Sequence, residues 1–339
     1  MKRIGITTTV PIEVLLAAGY QPIDLNNIFI NSSNPGKLIN DAEQAGFPLN
    51  CCSWIKGIYG VCQSSDIDTV LCVTTGDCSN TIMLMEVLKL KGVKTITFAF
   101  PAKPDSEQMR QELISLAKRL GTTLEAAEDV KTKLFNLRNQ VYELDRMTWQ
   151  DGLVSSYENH LWLVSTSDFN QDTAQFNSQI KRLLKDSSQR NSCPSDWLRL
   201  GYIGVPSVFG KDLYNYLEAN EVRVVFNEIQ RQFAMPYPGS NLVEQYVNYT
   251  YPYSIYGRVK DIQAEIKRRQ INGIIHYVQA FCHRGIGDII FHELLGLPIL
   301  TLEGNQEFYL TAHNKTRIEA FLDMVHKKIK SQNSKKKSK

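Results

Sequence analysis

The stretch Asp68-Thr-Val-Leu-Cys-Val-Thr-Thr-Gly-Asp-Cys78 decides how this chain reads. Its core is the β-rich run Asp68–Thr74, the pattern of a buried strand. Thr75-Gly76-Asp77 then reads as an exit loop, which leaves Cys78 just past the strand's carboxyl end. Amphipathic Asn80–Leu90 follows, and then a second β-rich run, Val93–Phe100, stopped by Pro101. The order strand, loop, helix, strand implies parallel pairing through right-handed crossovers. The arrangement returns far downstream in Gly273-Ile-Ile-His-Tyr-Val-Gln-Ala-Phe-Cys282, where an apolar run again ends on a cysteine.

Working outward, Lys2–Thr8 reads as an opening strand. Pro11–Gly19 reads as a helix with proline in its first turn and glycine at its end. Pro35–Ala45 reads as a helix capped by Asn34, and another helix is entered at Cys51–Ser53. Residues 105–190 carry Glu, Gln, Lys and Leu at helical spacing, and they read as a helical insert closed by a break at Ser187–Pro194. A second α/β unit follows, with strands at Leu198–Val205, Val222–Phe226, Gly273–Val278 and Pro298–Leu302. Its helices fall at Asp212–Ala219, Val259–Arg269 and Lys315–Val325. Tyr237–Tyr256, with six tyrosines, interrupts this pattern and reads as a pocket wall or a subunit interface. The expected domains are therefore 1–190, including the insert, and 195–326, with 327–339 as a disordered lysine-rich tail.

With 43% apolar and 22% charged residues, the 339-residue chain is globular and long enough to bury a core without disulfides. Its formal charge of +3 comes from the tail, which holds seven lysines and no acid, so the rest is mildly acidic. No basic stripe for nucleic acid results. No run reaches the length of a membrane span and no export signal opens the chain, so a cytoplasmic protein is expected.

Seven cysteines in a reducing compartment ask for another use than disulfides. The paired C-x-x-C or H-x-x-x-H spacings of zinc sites are missing. Thiolates at strand ends, distant in sequence, can instead hold an iron–sulfur cluster. Cys51, Cys52, Cys62, Cys78 and Cys282 are the candidate ligands. Two facing sheets would bring the strand exits into one cluster-binding cleft. On a helix, adjacent Cys51 and Cys52 point apart, and Cys62 would lie about 16 Å from Cys51, too far for one cubane unless Gly57 and Gly60 bend the chain. Cys72 inside its strand reads as core, and Cys193 beside Pro194 as a linker thiol. His283, Arg284 and Lys56 could hydrogen-bond cluster sulfur, though a solvated loop pair and a surface lysine explain them as well. No G-x-G-x-x-G or P-loop is present.

These stretches resemble the 2-hydroxyacyl-CoA dehydratase and benzoyl-CoA reductase family over nearly the whole chain. The resemblance is carried by Pro11–Leu25, the cysteine-led helix at 51–60, Thr-Thr-Gly-Asp-Cys78 and Phe-Cys282. It continues in Gly-Leu-Pro-Ile-Leu-Thr-Leu-Glu303 and Thr-Arg317-Ile-Glu-Ala-Phe321. The resemblance implies a fold of two Rossmann- or flavodoxin-like domains. It also implies a [4Fe–4S] cluster held by one of Cys51 or Cys52 with Cys78 and Cys282, its fourth iron site left for a small-molecule substrate. A separate ATP-hydrolysing iron–sulfur activator would inject electrons. The surplus cysteines resemble the double-cubane proteins of the superfamily, so an [8Fe–9S] reductase, oxygen-sensitive and homodimeric, is the leading expectation. Cys72 or Cys193 would supply its sixth ligand. A single-cubane dehydratase subunit and a non-catalytic iron–sulfur carrier are the alternatives. Glu303 and Arg317 are equally explained by a structural pairing.

Overall fold

The structure is a computed structural model that describes residues 2–337. Eight strands among these residues form two all-parallel sheets. In the first, β1 (Lys2–Ile6), β2 (Tyr20–Asp24), β3 (Thr69–Thr75) and β4 (Lys94–Ala99) lie in the order β2-β1-β3-β4. In the second, β5 (Leu198–Gly204), β6 (Val222–Asn227), β7 (Gly273–Gln279) and β8 (Ile299–Gly304) lie in the order β6-β5-β7-β8. One plan is thus used twice. The third strand of each sheet runs beside the first, where the direction of winding reverses, and open α/β sheets hold ligands outside the carboxyl ends of such strands. Cys78 follows β3, and Cys282 follows β7.

Local chemistry explains most of the elements. β3 buries Thr69–Val73 without a break, and β6 is buried from end to end, as strands covered on both faces must be. Asn34 caps Pro35–Gln44 by accepting from the Lys37 N–H, and Asp105 and Asp172 cap Ser106–Leu120 and Thr173–Ser187 in the same way. Gly121, at φ +78°, ends the first of these two helices in the left-handed region where a Cβ would be crowded. One strand escaped the sequence pattern. β2 contains Pro22, which has no N–H to give a ladder, and it is tolerated because β2 is an edge strand pairing with β1 alone.

The chain separates into two compact units that are not contiguous in sequence. Unit 1 comprises 1–144, 161–189 and 231–257, and unit 2 comprises 145–160, 190–230 and 258–339. Long-range pairing assigns each exchanged piece. Asp145 accepts two hydrogen bonds from Arg269, at 2.9 and 2.6 Å, and the Ser156 hydroxyl accepts the Val224 N–H at 3.0 Å, which draws 145–160 into unit 2. The Tyr246 hydroxyl donates to Glu13 Oε2 at 2.6 Å, which draws 231–257 into unit 1. Leu163, Phe169, Phe176 and Ile180 pack with Ile12, Leu134 and Val141 in one buried cluster, so the helices of 161–189 also belong to unit 1. Each of these large side chains contributes about 1.5–3 kcal/mol on burial.

The region expected to be a helical insert is helical, with Ser106–Leu120, Leu124–Arg146, Ser156–Val164 and Thr173–Ser187 as its main elements. The closing helix Ala312–Lys337 runs on through the lysines where a disordered tail was expected. Lysine is a good helix former, and extending a helix already anchored by buried Ile318, Phe321 and Val325 needs no new nucleus. Residues 338 and 339 of that tail lie outside the described residues.

Candidate functional site

In unit 1 the thiols stand at two element ends. Gly76 turns the chain out of β3 at φ +93°, and a Cβ there would come within 2.7 Å of Pro252 and 2.9 Å of Phe100. Asp77 accepts from the Tyr251 hydroxyl at 3.2 Å, so the exit loop is backed by the tyrosine segment of the same unit. Phe100 in turn packs among Tyr246, Tyr249 and Tyr253. Cys78 is half-buried, and its carbonyl accepts the Thr81 N–H at 3.0 Å as the helix Asn80–Leu90 begins.

Cys51 and Cys52 occupy the mouth of the helix Ser53–Ser64, with Cys52 as its capping residue. That helix leads into β3, the strand that Cys78 follows. Cys51 is half-buried and Cys52 buried. Burial pushes the Cys51 thiol up, against the pull of the Lys56 ammonium and of a backbone N–H. Further into the helix Cys62 is buried. Its thiol is pushed up to about 12 by burial and by the neighbouring Cys72, whose own thiol burial also lifts to about 12. These two are neutral thiols within the core.

In unit 2, Cys282 is half-buried and caps a short 3-10 turn, His283–Gly287. Its N–H donates to the Gln279 carbonyl at 3.0 Å, and its carbonyl accepts from Gly285 at 3.0 Å. The preceding Phe281 takes φ +63°, a strained value for a residue with a side chain. His283 is exposed and Arg284 half-buried on that turn. Cys193 is half-buried, and its N–H donates to the Gly152 carbonyl at 2.9 Å.

Lys56 is not a surface lysine. Its side chain has no exposed area, and Nζ donates to Glu43 Oε1 at 2.7 Å and to the Leu49 carbonyl at 3.0 Å. Arg317 donates to the Thr301 carbonyl at 2.7 Å, tying the closing helix to β8, while Glu303 is exposed.

Several buried charges were missed in the sequence. Glu13, fully buried, accepts from Arg138 at 2.6 Å, Gln245 at 2.8 Å and Tyr246. Burial is the largest influence and works against its charge, but Arg138 together with the hydrogen bonds from Tyr246 and Gln245 holds the carboxyl below its usual range. Glu228 is held low in the same way by Arg258, with bonds at 2.6 and 2.8 Å, and it accepts the Gly204 N–H at the exit of β5. Asp168 lies beside Asp24, and burial, then that second carboxyl, push it up to about 7. His276 Nδ1 meets Asp288 at 2.5 Å, which links β7 to the helix that follows the Cys282 turn. An acidic or basic residue within an apolar stretch, such as Glu13 in Pro11-Ile-Glu-Val-Leu-Leu, was the one available hint.

Among the described residues, no group of three or more His, Cys, Asp or Glu side chains stands ready to hold a metal ion. The donor chemistry nevertheless fits an iron–sulfur group. Cys51, Cys78 and Cys282 are unbridged, half-buried thiols at element ends, in contrast with the core pair Cys62 and Cys72. Among the same residues no helix is long and apolar enough to cross a membrane. No curated protein matches the chain. The model of one protein family, 2-hydroxyglutaryl-CoA dehydratase, D-component, matches residues 7–325. That span takes in every strand but β1 and every one of the seven cysteines, and the chain belongs to this family of dehydratase components.

Proposed function

We propose that the chain is the iron–sulfur-holding component of a 2-hydroxyacyl-CoA dehydratase-type system, working in an oxygen-free cytoplasm. Cys51, Cys78 and Cys282 are its ligand thiolates, and the group they hold is one [4Fe–4S] cluster. The observation that carries this reading is the repeated plan: in each sheet a half-buried cysteine follows the third strand, beside the point where the winding reverses. When bound, such a cluster supplies an iron that can take a substrate oxygen and a store for one electron. The protein's own part is to present thiolates from rigid element ends. Asp77 and Tyr251 fix the turn that carries Cys78, and the Gln279 carbonyl fixes the Cys282 N–H. The family resemblance implies that the low-potential electron comes from a separate ATP-hydrolysing activator, and the chain itself carries neither phosphate-binding motif.

A second reading, the double-cubane [8Fe–9S] reductase, is favoured by Cys52, which shares the helix mouth with Cys51. It needs six thiolates, and Cys62 and Cys72 count against it because they lie buried inside a helix and a strand and not at element ends. Anaerobic counting of iron and sulfide per chain separates the two. About four irons support the single cubane, and about eight support the fused pair. A folded chain reconstituted without oxygen that takes up no iron sinks both.

A further inference from the structure

Lys56 is the fourth residue of the helix Ser53–Ser64, and it is buried more deeply than a lysine is normally found unless a partner compensates it. Its bonds reach the preceding helix and the turn before its own. Nζ donates to Glu43 on the preceding helix Pro35–Gln44, and to the Leu49 carbonyl two residues before Cys51. Its backbone N–H donates to the Cys52 carbonyl at 3.2 Å. Within the turn between these contacts the Cys51 N–H donates to the Pro48 carbonyl at 3.0 Å. Leu49 itself is 77% exposed, so no packing of its side chain holds that turn down.

The helix, by contrast, is held without help from Lys56. A Cβ on Gly57 would come within 2.3 Å of the Phe29 ring, and one on Gly60 within 2.4 Å of the Leu38 carbonyl. The two glycines that could have bent the helix instead seat it against its neighbours. Loss of the lysine therefore frees the turn and leaves the helix where it is.

We propose that Lys56 is a positioning residue for the Cys51–Cys52 turn. It ties residues 49–52 to the helices on either side and keeps one positive charge next to the thiols. The inference rests on the reading that these thiols hold a cluster. It assigns the lysine a place behind the ligands, its ammonium committed to Glu43 and Leu49 and not to substrate.

Hydrogen exchange in the cluster-free chain is the first half of the test. In Lys56→Met the amides of residues 49–52 should exchange about tenfold faster while those of 55–62 hold their protection, and Lys56→Arg should restore part of the loss. The second half uses the anaerobically reconstituted chain. Lys56→Met should carry less iron, and its cluster should be reduced at a more negative potential than the wild type's, since a neighbouring cation favours the reduced form. In the double variant Glu43→Gln/Lys56→Met the net charge is that of the wild type. Its potential should move back toward the wild-type value while its fast exchange at 49–52 remains. Iron in the wild type together with unaltered exchange or an unaltered potential in Lys56→Met would overturn the proposal alone. No iron in the wild type would overturn the cluster reading, and this proposal with it.

Discussion

Both units feed their cysteine-bearing strand from a helix with a buried cation at its fourth residue, yet the cations do different work. In unit 1 that helix is Ser53–Ser64, and Lys56 ties down the turn that carries Cys51 and Cys52. In unit 2 it is Ile255–Arg268, which opens without a cysteine. There Arg258 grips Glu228, whose other partner is the Gly204 N–H at the exit of β5. Unit 1 has thus become a two-position thiol carrier, at a helix mouth and a strand exit. Unit 2 keeps only the strand exit and uses its cation to brace the neighbouring strand. The same four-strand plan, used twice, yields an unequal division of thiols because only one of two equivalent helix mouths bears sulfur.

The comparison breaks first on iron. Cys78→Ser and Cys282→Ser should each lose nearly all bound iron, since each removes one of three thiolates, whereas Cys62→Ser should keep it. Equal iron loss in Cys62→Ser would show that the core thiols are ligands and would favour the fused double cubane. The next effect is on stability. Arg258→Met leaves Glu228 charged and buried, and should cost about 3–5 kcal/mol in urea unfolding. Lys56→Met should cost less, because Glu43 is 22% exposed and water can reach it. Equal costs would mean that the two cations are interchangeable braces. Gly76→Ala comes third, at about 1–3 kcal/mol, since it puts a side chain at φ +93° against Pro252. Hydrogen exchange should show that loss around 74–80; a silent Gly76→Ala would mean the β3 exit tolerates another path.

The smallest effects are in pH, and the two units should respond in opposite senses. Asp168 in unit 1, pushed up to about 7, keeps a proton that an unfolded carboxyl has already given up. Its support is complete below the ordinary carboxylate range and is lost as pH rises toward 7. His160 in unit 2, pushed down to about 3 by burial, stays neutral where an unfolded imidazole would take a proton. Its support is complete above about 6.5 and is lost as pH falls from there. Asp168→Asn should flatten the first slope and His160→Gln the second, read as unfolding free energy against pH. Unchanged slopes in both variants would remove this contrast.

What could be read in the sequence was whatever expresses itself over a few neighbouring residues. Thr69–Thr74 and Gly273–Val278 announce buried parallel strands because both faces are apolar, and the cysteine after each run follows from counting. β2 did not announce itself, since an edge strand may carry Pro22 and end on Asp24. The burial of Lys56 depends on Glu43 and Leu49 approaching from another helix, and nothing in Trp54-Ile-Lys-Gly reports that. The assignment of 231–257 to unit 1 likewise depends on Glu13, more than two hundred residues earlier in the chain.

That interleaving governs how the protein can be made. The chain passes between the two units five times, so neither is complete until late in synthesis. On the ribosome, Glu13 and Arg138 must wait for Tyr246 to emerge, with their half-built core open to wrong partners for most of translation. A fragment cut at residue 190 would lack that partner permanently, and chaperone demand should peak just before residue 257 leaves the exit tunnel.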